Sequence, residues 1–75
     1  MWYEFMDMYS GGDQKVGYDF IYIKADSEDA AADIFDAHFN QDPYAVACRC
    51  CGRNFAVCEI DEERVGEERS SIVIN

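Results

Sequence analysis

The distribution of apolar and polar residues predicts two strands in the first third of the chain. Residues 2–9 are aromatic and apolar with scattered acids, and they run into a turn-forming cluster at 10–13. Residues 17–25 are rich in aromatic and β-branched side chains. They are apolar on both parities from Phe20 to Ile23, which is typical of an inner strand covered on both faces. We expect the two stretches to pair as a hairpin.

A helix is predicted after the second strand. Asp26 or Ser27 has the side chain of an N-cap residue, and the helix is expected to run to about Phe39. Pro43 follows within the segment 40–43 and cannot continue a helix. The side of this helix expected to pack on the sheet carries Ala31, Ile34, Phe35 and His38.

The remaining third of the chain predicts a second hairpin and a short last strand. Residues 44–48 and 54–60 are strand candidates around the tight segment 48–53. Residues 59–69 carry six acids and two arginines around a glycine, which is a loop composition, and residues 71–74 form a short apolar run. The order β-β-α-β-β, with a possible fifth strand, predicts an α+β fold with a single helix packed on a mainly antiparallel sheet.

Length and composition indicate one small domain over residues 1–75. The chain is 49% hydrophobic, with one Trp, five Tyr and five Phe, which is enough for a core despite the high charge. No repeat or linker divides it. The longest apolar runs are far shorter than the roughly 20 residues that span a bilayer, so we expect a cytoplasmic protein. A domain of this size is expected to fold alone, as a monomer, or as a homodimer.

The charge balance limits the classes of partner. Sixteen acidic and six basic residues give a net charge of −10. Such a field repels nucleic acid and anionic membranes and attracts basic surfaces. We therefore expect a protein partner with a basic surface, with no direct nucleic-acid binding and no membrane.

A row of aspartates on the predicted helix is the first candidate site. At 100° per residue the four aspartates fall within a sector of roughly 80° and extend over about 15 Å of helix axis. Like charges at this spacing repel, and residues 26–42 contain no Lys or Arg to neutralise them. The row is either a solvated face or a mimic of nucleic-acid phosphates that binds a basic groove. The candidate partner-binding residues are Asp26, Asp29, Asp33 and Asp36, with Glu62 and Glu63 from the acidic loop.

The cysteine-rich segment is the second candidate site. Cys48-x-x-Cys51-Gly52 has the spacing of a zinc knuckle, and His38 is the most plausible further ligand because it is expected to face the sheet. The alternative for the cysteines is a tight turn with packed thiols, and for His38 a satisfied core histidine. Without a signal peptide, reduced thiols or a metal site are expected rather than a disulfide framework. No cofactor is expected unless zinc is bound.

Signals for catalysis are weak. A Cys/His nucleophile pair lacks a recognisable third orienting group, and no phosphate-binding glycine loop is present. We expect a binding protein rather than an enzyme.

Residues 21–60, and most specifically the segment CRCCGRNF, resemble small uncharacterised proteins of tailed bacteriophages. Those proteins combine a strand, an acidic helix, an Asn/Asp-Pro break and a Cys-x-Cys-Cys-Gly turn followed by an aromatic residue. Many of them have an acidic residue near the positions that Arg53 and Asn54 occupy here. The resemblance implies a phage-type inhibitor of host machinery, such as an anti-CRISPR or anti-restriction protein. The alternative is a zinc-knuckle interaction module that uses the Cys48–Cys51 turn.

Overall fold

A computed structural model describes residues 1–9, 12, 14–48 and 52–75, with the backbone alone for residues 47 and 48. Within these described residues, six strands and one helix follow one another. They are β1 (Trp2–Asp7), β2 (Phe20–Lys24), α1 (Glu28–Phe39), β3 (Val46–Cys48), β4 (Gly52–Arg53), β5 (Phe55–Ile60) and β6 (Ser71–Ile74). A single 3₁₀ turn, Glu62–Arg64, lies between β5 and β6.

The main sheet has four strands in the order β5-β1-β2-β6. β1 is antiparallel to both β2 and β5, while β6 is parallel to β2. The predicted α+β class, the first hairpin and the last strand are confirmed. Since β5 and β6 both run parallel to β2, each is reached by a connection that crosses the sheet.

The predicted second hairpin is wrong in its pairing. β5 pairs with β1 along its whole length, and β3 pairs instead with the two-residue strand β4. Asn54 separates β4 from β5, and its backbone N–H donates to the Ala45 carbonyl at 2.8 Å. Pairing with β1 places the apolar residues of β5 over the core, whereas pairing with the three-residue β3 would leave most of β5 without a hydrogen-bonded neighbour.

The helix begins and ends as predicted. The Ser27 hydroxyl accepts from the Ala30 N–H at 3.1 Å, and Asn40 adopts a left-handed conformation (φ 56°) that ends the helix. The predicted packing face is wrong at His38, which is exposed. Phe39 packs on Phe35 at a centroid distance of 4.9 Å, so the buried face is rotated toward Phe39 and away from His38.

The core lies between the helix and one face of the sheet. Phe35 is fully buried, and its ring lies 5.0 Å from that of Phe5 and 4.8 Å from that of Phe55. The buried cluster consists of Tyr3, Phe5, Ile21, Ile23, Ala31, Phe35 and Phe55. The helix is therefore held on the sheet by aromatic packing.

The opposite face of the sheet is covered in part, over Tyr22, by the acidic connection 61–70. Tyr22 points to this face, with Glu4 and Val73 as its neighbours on the adjacent strands, and its side chain is fully buried. A Cβ placed on Gly66 would lie 3.5 Å from Val73 Cγ2, so the connection passes over this face. The prediction of an inner strand covered on both faces is confirmed.

A buried carboxylate organises the start of the connection between β1 and β2. The Asp7 side chain is fully buried and accepts hydrogen bonds from the backbone N–H groups of Tyr9 at 2.8 Å and Lys15 at 2.9 Å. The Lys15 ammonium lies 3.6 Å from Asp7 Oδ1. Asp7 thus holds the connection between β1 and β2 against the end of the sheet. Without this carboxylate the two backbone N–H groups would need water as a hydrogen-bond acceptor.

Candidate functional site

Three aspartates of the helix form an extended acidic surface, which we call the helix ridge: Asp29, Asp33 and Asp36. All three are exposed. At 100° and 1.5 Å per residue they lie within roughly 60° of one another and over about 10 Å of axis. In the part of the chain that the structure describes, the ion pairs are Lys15–Asp7 and Arg64–Glu67, and the helix ridge takes part in neither. The ridge therefore presents its carboxylates to solvent.

Asp26 is separate from the helix ridge. It precedes the Ser27 cap, so the helical angle used to place it in the row does not apply. It is exposed and lines an open groove of about 410 Å³ beside the helix, together with Lys24, Ala25, Ala30 and Ile34. Lys24 brings a positive charge to the same groove.

The N-terminal end of the helix is tied to the β3–β4 hairpin. The Tyr44 hydroxyl donates to Glu28 Oε2 at 2.7 Å, and the Arg53 guanidinium carbon lies 5.4 Å from the centre of the Tyr44 ring. Burial, and then the hydrogen bond to Glu28 with its negative charge, raise the pKa of Tyr44 to about 12. Arg53 thus lies close to the Glu28 end of the helix.

Glu62 and Glu63 are exposed in the 3₁₀ turn that enters the connection 61–70. Since this connection covers the face of the sheet opposite the helix, the predicted set of acids is divided between two sides of the protein. A partner with a flat surface contacts one side or the other. The structure brings Asp29, Asp33 and Asp36 together and does not bring Glu62 and Glu63 to them.

The predicted zinc knuckle lies mostly outside the described residues. Cys51 is not described, and for Cys48 only the backbone is. His38 is exposed, with its ring 4.6 Å from that of Phe39, which removes the prediction of a sheet-facing histidine. Among the residues with described side chains, no group of three or more His, Cys, Asp or Glu is placed to hold a metal ion.

Cys58 is a free, exposed thiol on β5. Its sulfur lies 3.8 Å from Glu4 Oε1, on the face of the sheet opposite the helix. Burial, and then the negative charge of Glu4, raise the pKa of the Cys58 thiol. A thiol with a raised pKa is a poor nucleophile at neutral pH, so this environment does not favour catalysis by Cys58.

Sequence analysis missed an apolar surface at the end of β1. Met6, Met8 and Tyr9 are 36%, 47% and 46% exposed, and Met8 lines a second cavity of about 300 Å³ with Arg53 and Phe55. Met6 and Met8 are two residues apart and so point to one face of an extended chain. That spacing is the signal in the sequence for this surface.

Comparison of the chain with protein-family models, with curated proteins and with solved structures gives no match. No helix in the described part of the chain has the length and apolar character that crossing a membrane requires.

Proposed function

We propose that this protein is a small acidic inhibitor that binds a basic, nucleic-acid-handling protein of a bacterial host. In this proposal the helix ridge occupies the groove that normally holds nucleic-acid phosphates. The role is anti-defence or host takeover, of which anti-CRISPR and anti-restriction activities are examples, and it involves no catalysis. The host context comes from the resemblance of residues 21–60 to tailed-phage proteins.

The exposure of the whole helix ridge is the observation that carries this proposal. A structural role for these aspartates would call for cationic neighbours, caps or buried hydrogen bonds, and within the described residues they have no ion pair. Asp36 lies in the last turn of the helix, where the dipole favours a cation. The Asp33–Asp36 part of the ridge thus has a cost in stability, which binding of a cationic partner would offset.

The spacing of the ridge is compatible with a phosphate mimic. Along the helix its carboxylates rise in steps of about 4.5–6 Å, comparable with the spacing of successive phosphates on a nucleic-acid strand. A groove that binds phosphates through Lys and Arg side chains would meet charges of the same sign at similar intervals. Such an interaction gains association rate from the net charge of −10 and weakens with salt.

The test is affinity capture from a bacterial host lysate with the tagged protein and two charge-matched variants. The first variant is Asp29→Asn/Asp33→Asn/Asp36→Asn on the helix ridge. The control is Glu62→Gln/Glu63→Gln/Glu67→Gln, which removes the same charge from the opposite face of the sheet. We expect a captured basic protein, identified by mass spectrometry, to be lost with the ridge variant and retained with the control.

Salt provides the second measurement. Binding of the captured partner to the unmodified protein is expected to weaken at least ten-fold between 50 and 500 mM NaCl, since exposed charges are screened over about 8 Å at 0.15 M. The proposal is wrong if the ridge variant captures the same partner with the same affinity. Equal losses in both variants would show that net charge, and not the ridge, determines binding.

A further inference from the structure

The outer edge of β6 is an unprotected strand edge. In the described portion of the protein, β6 has only β2 as a neighbour, and its register with β2 is continuous from Ser71 to Ile74. The strand carries no charged residue, proline or bulge, although 29% of the chain is charged. Natural edge strands normally carry such features because they prevent pairing with another chain. The other edge, β5, has the exposed charge of Glu59.

The side chains of β6 match a second copy of the same strand. Ile72 and Ile74 pack on the core cluster beneath the helix, while Val73 points to the opposite face and is 47% exposed. In an antiparallel pair, residues directly opposite each other point to the same face. When Val73 faces Val73 of a second copy, each Ile72 faces an Ile74, so apolar residues meet apolar residues on both faces.

We propose that the occupant of this edge is a second copy of the chain, which pairs β6 with β6 about a two-fold axis at Val73. The result is a dimer with one eight-stranded sheet. The self-complementary sequence of β6 assigns the occupant, since pairing at Val73 places apolar residues opposite apolar residues. A basic partner would be attracted to the carboxylate surfaces, and β6 offers it no carboxylate. The backbone N–H and C=O groups along the free edge supply the hydrogen bonds of the new strand pair.

The size of the contact sets the strength of the dimer. Four residues a side fall well within the small class of interfaces, below about 1,200 Å² in total, which form transient complexes. Each copy also carries a charge of −10, which opposes association. The dimer is therefore expected at micromolar or higher concentrations, and salt should strengthen it by screening this repulsion.

The dimer has a consequence for the acidic surface. A two-fold axis normal to the sheet keeps both helices on the same face and runs them in opposite directions. The two helix ridges would then lie on the same face of the dimer. The dimer goes beyond the proposed function, and its test requires no partner, so either can fail without the other.

The experiment is sedimentation velocity over about 10 µM to 1 mM protein at 50 and 500 mM NaCl. Val73→Lys places two like charges opposite each other at the two-fold axis, which is unfavourable. Val46→Lys is the matched control, since Val46 is 58% exposed on β3 and makes the same charge change. We expect Val73→Lys to weaken dimerisation at least ten-fold and Val46→Lys less than two-fold, with circular dichroism showing that both fold.

A covalent variant makes the geometry testable. Val73→Cys should form an intermolecular disulfide at position 73 on mild oxidation, and Val46→Cys should not, as read by peptide mapping because the native cysteines are present in both. The proposal is overturned if the protein stays monomeric at 1 mM in 500 mM NaCl. It is also overturned if the two lysine variants weaken the dimer equally.

Discussion

The Tyr44 hydroxyl donates a hydrogen bond of 2.7 Å to the Glu28 carboxylate at the start of the helix. This contact, with Arg53 over the Tyr44 ring, joins the helix to the paired strands β3 and β4. A hydrogen bond to a charged group contributes more than a neutral one, but partial exposure reduces its effect.

Tyr44→Phe is expected to lower the free energy of unfolding by about 1 kcal/mol, because the Glu28 carboxylate loses its donor. Urea denaturation of Tyr44→Phe, Glu28→Ala and the double variant forms a thermodynamic cycle, and the coupling energy is the quantity of interest. If the two single effects simply add, the contact contributes nothing to stability.

Alkaline pH should destabilise the protein. The pKa of Tyr22 is raised to about 12 by burial and then by the negative charge of Glu4, and that of Tyr44 is also raised to about 12. In the unfolded chain these phenols ionise near their ordinary pKa of about 10. Between pH 10 and 12 the phenols of the unfolded chain lose their protons while those of the folded protein keep them, so the free energy of unfolding falls as the pH rises. Below pH 10 both states hold the protons, and the stability is unaffected by these two groups.

Urea denaturation at pH 9, 10 and 11 measures this slope, and absorbance at 295 nm follows the phenols directly. Tyr22→Phe is the control. It should flatten the decline of stability with pH and change stability at neutral pH by less than about 1 kcal/mol. The buried Tyr22 hydroxyl lies near Glu4 and the Glu68 backbone but makes no well-formed hydrogen bond within the described residues. A decline equally steep in Tyr22→Phe would assign it to other groups.

Asp7 should be the acidic residue to which stability is most sensitive. Asp7→Ala removes a buried acceptor of two backbone N–H groups and leaves the Lys15 ammonium without this carboxylate, so a loss of about 3–5 kcal/mol is expected. Asp7→Asn, which keeps one carbonyl acceptor, should lose less. Asp33→Ala on the exposed helix ridge is the comparison and should change stability by less than about 0.5 kcal/mol. Thermal or urea denaturation measures the loss of stability in each variant. Similar losses for Asp7→Ala and Asp33→Ala would contradict the anchoring role of Asp7.

The two ends of the helix ridge should respond oppositely to neutralisation. Asp36→Asn relieves repulsion with Asp33 and an unfavourable position in the last turn, so stability should rise by about 0.5 kcal/mol. Asp29→Asn removes a favourable charge from the first turn as well as a repulsion, so it should be neutral or slightly destabilising. Urea denaturation at 20 mM and 1 M NaCl tests this, since the difference between the variants should nearly vanish at high salt. Equal effects at low salt would show that the helix dipole does not act on these carboxylates.

Local pattern was sufficient for several elements of this protein. The helix from Glu28 to Phe39, its Ser27 cap and the final strand at 71–74 follow from short-range rules of capping, periodicity and apolar runs. The exposure of Asp29, Asp33 and Asp36 also followed, because helical spacing determines which residues share a face once the helix exists.

Tertiary structure decided which strands pair and what covers each face. β5 pairs with β1 and not with β3. The six residues of β5 form more backbone hydrogen bonds and more core contacts beside the six-residue β1 than they could beside the three-residue β3. The rotation of the helix was set by the packing of Phe39 on Phe35, which exposed His38. The division of the acids between two sides follows from the connection 61–70 crossing the face opposite the helix. Such pairings depend on residues far apart in the chain, and short-range sequence rules do not contain that information.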